Sequence, residues 1–265
     1  MDTSITIVNI SINRFILLYL FIGFVLLIYN YLKLSIFKDL LIAVCRMTVQ
    51  LIIAGFILLY IFDINSFWLV ILVFTFMSCF ATHTILRRAH MRIPKYFFKI
   101  FIPVFLNGLF MSFFFLYIIV HPEPWYDARY FIPITGMALG NSMNACALAI
   151  DRFLDSIKNN LKEIETILVL GGTQYESIKK FYSNSIKSAC IPIITNMSGI
   201  GLVFLPGLLT GQILSGVNPL IAIKYQIAIM IIIVSSITFT SIFTLFVTFK
   251  SIFDTRDRLK YELID

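Results

Sequence analysis

The chain has 265 residues, of which 59 % are hydrophobic and only 13 % are charged. A soluble domain of this composition would expose more apolar surface than solubility allows, so a soluble globular fold is excluded. The formal net charge of +7 would favour nucleic-acid binding in a soluble protein, but the cations are placed here as in a membrane protein.

Seven apolar runs set the fold class. Crossing the ~30 Å hydrocarbon layer of a membrane takes about 20 helical residues, and each run reaches that length. None shows the period-two alternation of a membrane β-barrel. We therefore predict an all-α, polytopic membrane protein with about seven transmembrane helices in one domain, residues 1–265. The runs are 12–32, 41–61, 67–86, 97–119, 130–150, 188–214 and 220–249.

The lysines and arginines are divided unevenly between the two sides of the membrane. With the N-terminus outside, three of the 21 cations (Arg14, Arg129 and Lys224) fall outside, and 18 fall inside. The positive-inside rule therefore predicts an external N-terminus and a cytoplasmic C-terminus, in the inner (plasma) membrane. The inside cations are Lys33, Lys38, Arg46, Arg87, Arg88, Arg92, Lys95, Lys99, Arg152, Lys158, Lys162, Lys179, Lys180, Lys187, Lys250, Arg256, Arg258 and Lys260.

One sizeable polar segment, residues 151–187, follows the fifth run, and we call it the elbow. Its apolar residues recur at three- and four-residue spacing, which predicts an amphipathic helix. Gly171-Gly172 is expected to end that helix, and Thr173 with Glu176 has the spacing of a capping box for a second one. The elbow is either a handle for a partner protein or a surface hairpin that only connects two spans.

The polar residues inside the runs are mainly amides and hydroxyls, and no carboxylate lies in a run interior. Arg46 and Gln50 stand one turn apart in the second run. Arg46 either extends to the cytoplasmic interface or faces the protein interior. In the fifth run, four residues share one helical face and predict a polar lining: Met137, Asn141, Asn144 and Leu148.

Two apolar stretches combine a proline with a GxxxG pair. Pro133 precedes Gly136 and Gly140, and the second set is Pro206, Gly207 and Gly211. Paired interruptions of this kind are typical of broken helices that hinge around a transport path. Ordinary tight helix packing is the alternative, because GxxxG also lets two helix backbones approach closely.

Catalytic motifs are nearly absent from the sequence. No Ser/His/Asp or Cys/His set can be assembled, and Gly171-Gly172 is not followed by the lysine of a phosphate-binding loop. We therefore predict that the chain is not an enzyme.

Five stretches, read in chain order, carry a resemblance to a known family. They are RMTVQLIIAGFIL (46–58), PITGMALGNSMNACALA (133–149), ETILVLGGT (165–173), CIPIITNMSGIGLVFLPGLLTGQILSG (190–216) and NPLIAIKYQI (218–227). Together they resemble the signature blocks of the Fet-type iron-export permeases, which are related to plant aluminium-tolerance permeases. The first run and the C-terminal tail match only in character.

The resemblance implies the permease subunit of an ATP-binding-cassette exporter, assembled from two permeases and two separate ATPases. ATP and magnesium would bind to the ATPase, and this chain would bind no cofactor itself. In the family, the stretch matching 165–173 lies in a cytoplasmic loop that docks on the ATPase. The coupling residues implied in this way are Glu165, Leu170, Gly171, Gly172 and Thr173.

The cargo is less well defined by the resemblance. Iron prefers carboxylate, imidazole or thiolate ligands, and the run interiors supply only cysteine and methionine, so the metal ligands are unknown. A complexed or organic cargo, such as the nucleotide sugars linked to the plant relatives, would suit amides and an arginine better. A secondary carrier and a non-transporting scaffold are the other classes. The predicted path residues are Arg46, Gln50, Met137, Asn141, Asn144 and Gln212.

Overall fold

The computed structural model describes residues 10–91, 93–254 and 259, with the backbone alone at 93 and 94. These described residues form nine α-helices and no strand. A π-helical segment, Phe114–Val120, extends the fourth helix. The helices are α1 (Ile12–Tyr31), α2 (Phe37–Ile64), α3 (Phe67–Arg88), α4 (Ile93–Phe113), α5 (Ala128–Asn159), α6 (Leu161–Val169), α7 (Gln174–Gly199), α8 (Gly207–Leu214) and α9 (Pro219–Ile252).

Six of the seven predicted runs each coincide with one long helix, and the sixth run is divided. The second half of α7 and the whole of α8 come from that run, with residues 200–206 between them. Gly201 has φ +82°, a left-handed conformation that suits glycine. Pro206 has no N–H to continue a helix and caps the start of α8.

Five of the described helical segments are long and apolar enough to cross a membrane, judged by length and composition: α1, α2, α3, Lys95–Val120 and α9. α5 and α7 are long enough but too polar for the same criterion. The all-α multi-pass membrane fold is thus confirmed, and the count of seven spans and the orientation stay predictions. Of the cations that predict the orientation, Arg92, Arg256, Arg258 and Lys260 lie outside the described residues.

The core of the bundle surrounds α9 and α5. α9 packs against α4, α5, α7 and α8, and α3 packs on α4 and α5. The Phe74 ring lies 4.9 Å from the Phe105 ring and 6.0 Å from the Phe131 ring. At Gly108 a Cβ atom would stand 2.9 Å from Cδ2 of Leu139, so α4 and α5 approach closely at this residue and a larger side chain would require Leu139 to shift.

α1 and α2 form a pair at the edge of the bundle. No residue of α1 is buried, and Ile61 is the one buried residue of α2. The hydroxyls of Tyr19 and Thr48 join the two helices at 2.8 Å. Their exposed apolar side chains therefore contact lipid or a neighbouring chain in a membrane.

The expected break in the fifth run is wrong. α5 is one continuous helix that runs through Pro133, Gly136 and Gly140. Pro133 is the sixth residue of the helix, so the single backbone hydrogen bond that its ring removes lies near the helix start. The expected interruption does occur in the sixth run, just before Pro206.

Candidate functional site

A groove of about 280 Å³ opens between α5, α7 and α9. It brings together Asn141 and Asn144, which the sequence predicted on one helical face, and Asn196 of α7, which sequence reasoning missed. Asn196 could have been found because it stands in a polar patch, TNMS, that interrupts the sixth apolar run. The apolar walls of the groove include Leu148, Ile193 and Ile237.

The amides of the groove have defined orientations. Arg88, the last residue of α3, donates from Nη1 to Oδ1 of Asn144 at 2.6 Å. Asn141 donates from Nδ2 to the backbone carbonyl of Met137 at 2.8 Å. Because the Asn144 oxygen is engaged by Arg88, its NH₂ group is the end left for other partners. Sequence reasoning assigned Arg88 only to the inside cations.

The groove extends from the middle of α9 toward the end of α3, where Arg88 bonds to Asn144. Ile237, in its wall, is near the middle of α9. Ser142 of α5 is 3.0 Å from the hydroxyl of Ser236, and Asn107, near the middle of the Lys95–Val120 segment, also bonds to Ser236. Exposed amides are unfavourable against lipid tails, so we expect the groove to face water or another protein surface.

A network of buried hydroxyls and one amide supports the groove from behind. Asn107 donates from Nδ2 to Oγ1 of Thr240 at 2.6 Å and to Oγ of Ser236 at 3.2 Å. Thr135 donates to Ser112 at 2.8 Å. These bonds fix α4, α5 and α9 against one another, since an unpaired polar group in a membrane interior costs free energy. The stretch SSITFTS (235–241) in an apolar span was the sequence signal for this network.

The remaining predicted path residues lie apart from the groove. The guanidinium carbon of Arg46 is 5.9 Å from the centre of the Phe80 ring on α3, and Gln50 is exposed on α2. Gln212 lies on α8, where its buried Oε1 has no hydrogen-bond partner among the described residues. The groove therefore contains Asn141 and Asn144, with Met137 one turn away on α5, and Arg46, Gln50 and Gln212 are not among the residues that line it.

Most of the glycines in the two GxxxG pairs do not lie in close helix–helix contacts. A Cβ atom at Gly136 would stand 3.2 Å from Cε of Met77, so α3 and α5 are close at this point. At the three other glycines, a Cβ atom would meet nothing within 4 Å: Gly140, Gly207 and Gly211. Tight packing accounts for Gly136 alone.

The elbow has the helix–turn–helix form that the sequence predicted. α6 follows α5 after one residue, Asn160, and a short turn joins α6 to α7. Ile157 and Ile164 are fully buried and hold these helices against the bundle. An ion pair joins α7 to α6, with Nζ of Lys180 3.6 Å from Oε1 of Glu163.

The predicted capping box is confirmed at the start of α7. Thr173 donates from its backbone N–H and its hydroxyl to Oε2 of Glu176, at 2.8 Å and 2.7 Å. The backbone N–H of Glu176 donates to the Thr173 hydroxyl at 3.3 Å. The hydrogen bond from the Thr173 backbone, followed by that from its hydroxyl, holds the pKa of Glu176 below its ordinary value.

The tip of the elbow exposes two large apolar side chains. Val169 and Leu170 are 85 % and 81 % exposed. Gly171 follows with φ +87°, a conformation that ends α6. At Gly172 a Cβ atom would stand 2.6 Å from Cγ2 of Ile167, so the turn is tight at this residue as well. Glu165 lies exposed on α6.

Metal-binding groups are not assembled in the part of the chain that the structure describes. No group of three or more His, Cys, Asp or Glu side chains there has the arrangement of a metal site. The four cysteines are free thiols. The groove therefore offers amide groups and a guanidinium, which are poor ligands for a bare metal ion.

The long apolar helices and the bundle around α9 define a multi-pass α-helical membrane protein. The chain belongs to the UPF0014 family, described as an uncharacterised protein family, whose model matches residues 12–253. No solved structure matches the chain.

Three relatives are similar in sequence to this chain over most of its length. A UPF0014 membrane protein of Synechocystis is 35 % identical over 81 % of this chain and 83 % of its own length. Protein ALUMINUM SENSITIVE 3 of Arabidopsis thaliana is 33 % identical over 83 % of this chain and 80 % of its own length. The probable iron export permease protein FetB of Escherichia coli is 30 % identical over 86 % of each chain. The predicted resemblance to iron-export and plant aluminium-related proteins is confirmed.

Proposed function

We propose that this chain is the transmembrane permease subunit of an ATP-driven exporter. Two permeases pair with two separate cytoplasmic ATPases, which bind ATP and magnesium, and this chain catalyses no reaction. The name of the E. coli relative, an iron export permease, supports iron or another metal, as ion or complex, as the cargo. A nucleotide sugar or another polar organic solute is the alternative cargo.

The exposed apolar tip of the elbow is the observation that carries this proposal. Val169 and Leu170 project from a segment whose exposed surface is otherwise mainly polar, with Tyr175 as a further half-exposed aromatic side chain. An exposed apolar anchor with a polar rim is typical of a protein-docking surface. With an external N-terminus the elbow is cytoplasmic, where an ATPase would meet it. The proposed coupling residues are Glu165, Leu170, Gly171, Gly172 and Thr173.

The amide groove is the proposed centre of the translocation path. Its open side needs water or protein cover at membrane depth, and a second permease supplies such cover. Asn141 and Asn144 lie in the groove, and Met137 is one turn away. Arg46, Gln50 and Gln212 join the path only if the helices rearrange during transport.

Transport by this design requires the helices around the groove to move. α5 is continuous, so its proposed hinge residues do not mark a break in the helix. They would instead allow the helix to bend during transport. The loop before α8 is a second flexible point, since it is already non-helical. The proposed hinges are Pro133, Gly136, Gly140, Pro206, Gly207 and Gly211.

A secondary carrier is the competing class, and the groove argues against it. Proton- and sodium-coupled carriers usually keep ionisable carboxylates inside the membrane. No Asp or Glu is among the described residues that line this groove. The exposed elbow tip would also have no purpose in a carrier without a partner.

The coupling proposal is tested with Leu170→Ser in the chain co-expressed with its ATPase. Removing an interface anchor typically weakens binding about tenfold or more, so co-purification of the ATPase and its stimulated ATP turnover are both expected to fall by that factor. Leu202→Ser is the matched control, because Leu202 is a leucine 90 % exposed at the other end of α7. Equal turnover and co-purification in the two variants would show that the tip does not couple.

A further inference from the structure

Arg88 does not line the groove itself, but its hydrogen bond to Asn144 holds a guanidinium beside a residue that does. This bond joins the end of α3 to the part of α5 that lines the groove, across 56 residues of sequence. A lipid-interface arginine has no need of such a partner, because its side chain can extend to the headgroups. The bond therefore directs the guanidinium toward the groove amides.

Around Arg88 and Asn144 the donors outnumber the acceptors. Nη1 of Arg88 is bonded to Oδ1 of Asn144, which leaves the Asn144 NH₂ group as a donor beside the guanidinium. A planar guanidinium has five N–H donors and matches carboxylate and phosphate groups. The adjacent NH₂ group of Asn144 can donate a further hydrogen bond to the same carboxylate or phosphate.

None of the described residues that line the groove is acidic. Beside Arg88 and Asn144 a bare metal cation would meet a positive charge and NH₂ hydrogens, and both interactions are repulsive. The Asn141 oxygen, whose NH₂ group is bonded to the Met137 carbonyl, is a neutral acceptor and does not offset that charge. An anion would meet attraction from the guanidinium and from the Asn144 NH₂ group.

We propose that the groove recognises its cargo through oxyanion groups, which Arg88 and Asn144 bind together. The cargo is then a carboxylate- or phosphate-bearing solute, or a metal complex whose ligands carry such groups, and not a bare metal cation. This inference rests on the proposed function only in taking the bound solute as the transported one. The volume of about 280 Å³ suits a small group, since ligand pockets usually start near ~300 Å³.

Binding is measured by calorimetry on the full chain in lipid nanodiscs, without an ATPase. The probes are citrate, ferric citrate, inorganic pyrophosphate and ferrous chloride. At least one oxyanion probe is expected to bind saturably, with affinity about tenfold or more lower in Arg88→Gln, because charge-assisted hydrogen bonds are lost. Arg87→Gln removes the same charge one residue earlier and is expected to change affinity less than about twofold.

A second variant guards against misfolding of Arg88→Gln. Asn144→Asp keeps an acceptor for Arg88 but adds a negative charge and removes the NH₂ donor. It is expected to fold, with a normal thermal unfolding transition, and to bind the oxyanion probes about tenfold or more weakly. Unchanged binding in this variant contradicts the inference.

The remaining outcomes also decide the matter. Binding of citrate alone assigns recognition to the free oxyanion, and binding of ferric citrate alone assigns it to the metal complex; both support the inference. It is overturned if no oxyanion probe binds, if ferrous ion binds more tightly than they do, or if Arg87→Gln and Arg88→Gln behave alike. Leu170→Ser should leave the binding unchanged, so that failure of the elbow proposal and failure of this one are separate results.

Discussion

Gly171 ends α6 in a conformation that other residues adopt poorly. Its φ of +87° lies in the left-handed region, where a side chain costs about 1–2 kcal/mol. We expect Gly171→Ala to speed hydrogen exchange of the elbow amides by about fivefold or more, because local opening becomes easier. Exchange measured by mass spectrometry on the purified chain checks this prediction.

Gly140→Ala provides the matched control for that change. Gly140 lies inside α5, and a Cβ atom there meets nothing within 4 Å. Alanine favours a helix over glycine by about 1 kcal/mol, so exchange around residue 140 should stay equal or become slower. The left-handed assignment is contradicted if both variants leave the elbow unchanged.

The contacts of single residues could be predicted from the sequence only where both partners are close together in the chain. Thr173 and Glu176 are three residues apart, so the sequence alone predicted their capping box. The bonds from Arg88 to Asn144 and from Asn107 to Ser236 join residues 56 and 129 positions apart. Such contacts depend on which helix faces pack together, and one sequence carries little information about that.

At the scale of an element, the start of α7 depends on an ionised glutamate. The pKa of Glu176 is lowered in the folded chain, so the capping box stabilises the helix start fully above the ordinary glutamate pKa. The stabilisation is lost as pH falls through the lowered pKa. We expect protection of the first amides of α7, corrected for intrinsic exchange, to stay constant from neutral pH down to about pH 4.3 and to fall below that pH.

Glu176→Gln separates this effect from general acid unfolding. Glutamine can also complete a capping box but has no charge to lose, so the protection of these amides should no longer depend on pH. If protection in the variant falls with pH as it does in the original chain, Glu176 is not the titrating group.

α5 shows where pattern reasoning about an element fails. Pro133 and two glycines predicted a break, yet the helix continues because the proline is close to its start and its flanking residues pack on α3, α4 and α9. The tertiary packing outweighs the low helix propensity of glycine. In the elbow, the turn at Gly171-Gly172 and the start of α7 were predicted correctly from their local residues. The break at Asn160, which divides the predicted amphipathic helix between α5 and α6, was not predicted.

On the scale of the whole molecule, orientation is the prediction with the widest consequences. We expect a cysteine at position 170 to face the cytoplasm and one at 202 to face outside, since they lie at opposite ends of α7. In a background without other cysteines, a membrane-impermeant maleimide added to intact cells should label Leu202→Cys and spare Leu170→Cys. Permeabilised cells provide the control, where both should react.

The reverse labelling pattern would invert the orientation and remove the ATPase from reach of the elbow. Labelling of both sites in intact cells would contradict the spanning of the membrane by α7. The sequence predicted the long helices well at this scale because apolar length is a direct signal. It could not predict that α1 and α2 stand at the edge while α9 forms the centre, since all three are equally apolar.

The unbroken course of α5 has a mechanical consequence. If Pro133 is the hinge that bends and α5 stays straight beyond it, the helix acts as a lever. Asn144 lies about 16 Å from that pivot and Asn159 about 39 Å, at ~1.5 Å per residue. A displacement of about 5 Å at Asn159 would then move Asn144 by about 2 Å. That shift would stretch the 2.6 Å contact with Arg88 past hydrogen-bonding distance. Under the proposed coupling, a push on the elbow would therefore produce a smaller displacement at Asn144 and break the contact between the groove and α3.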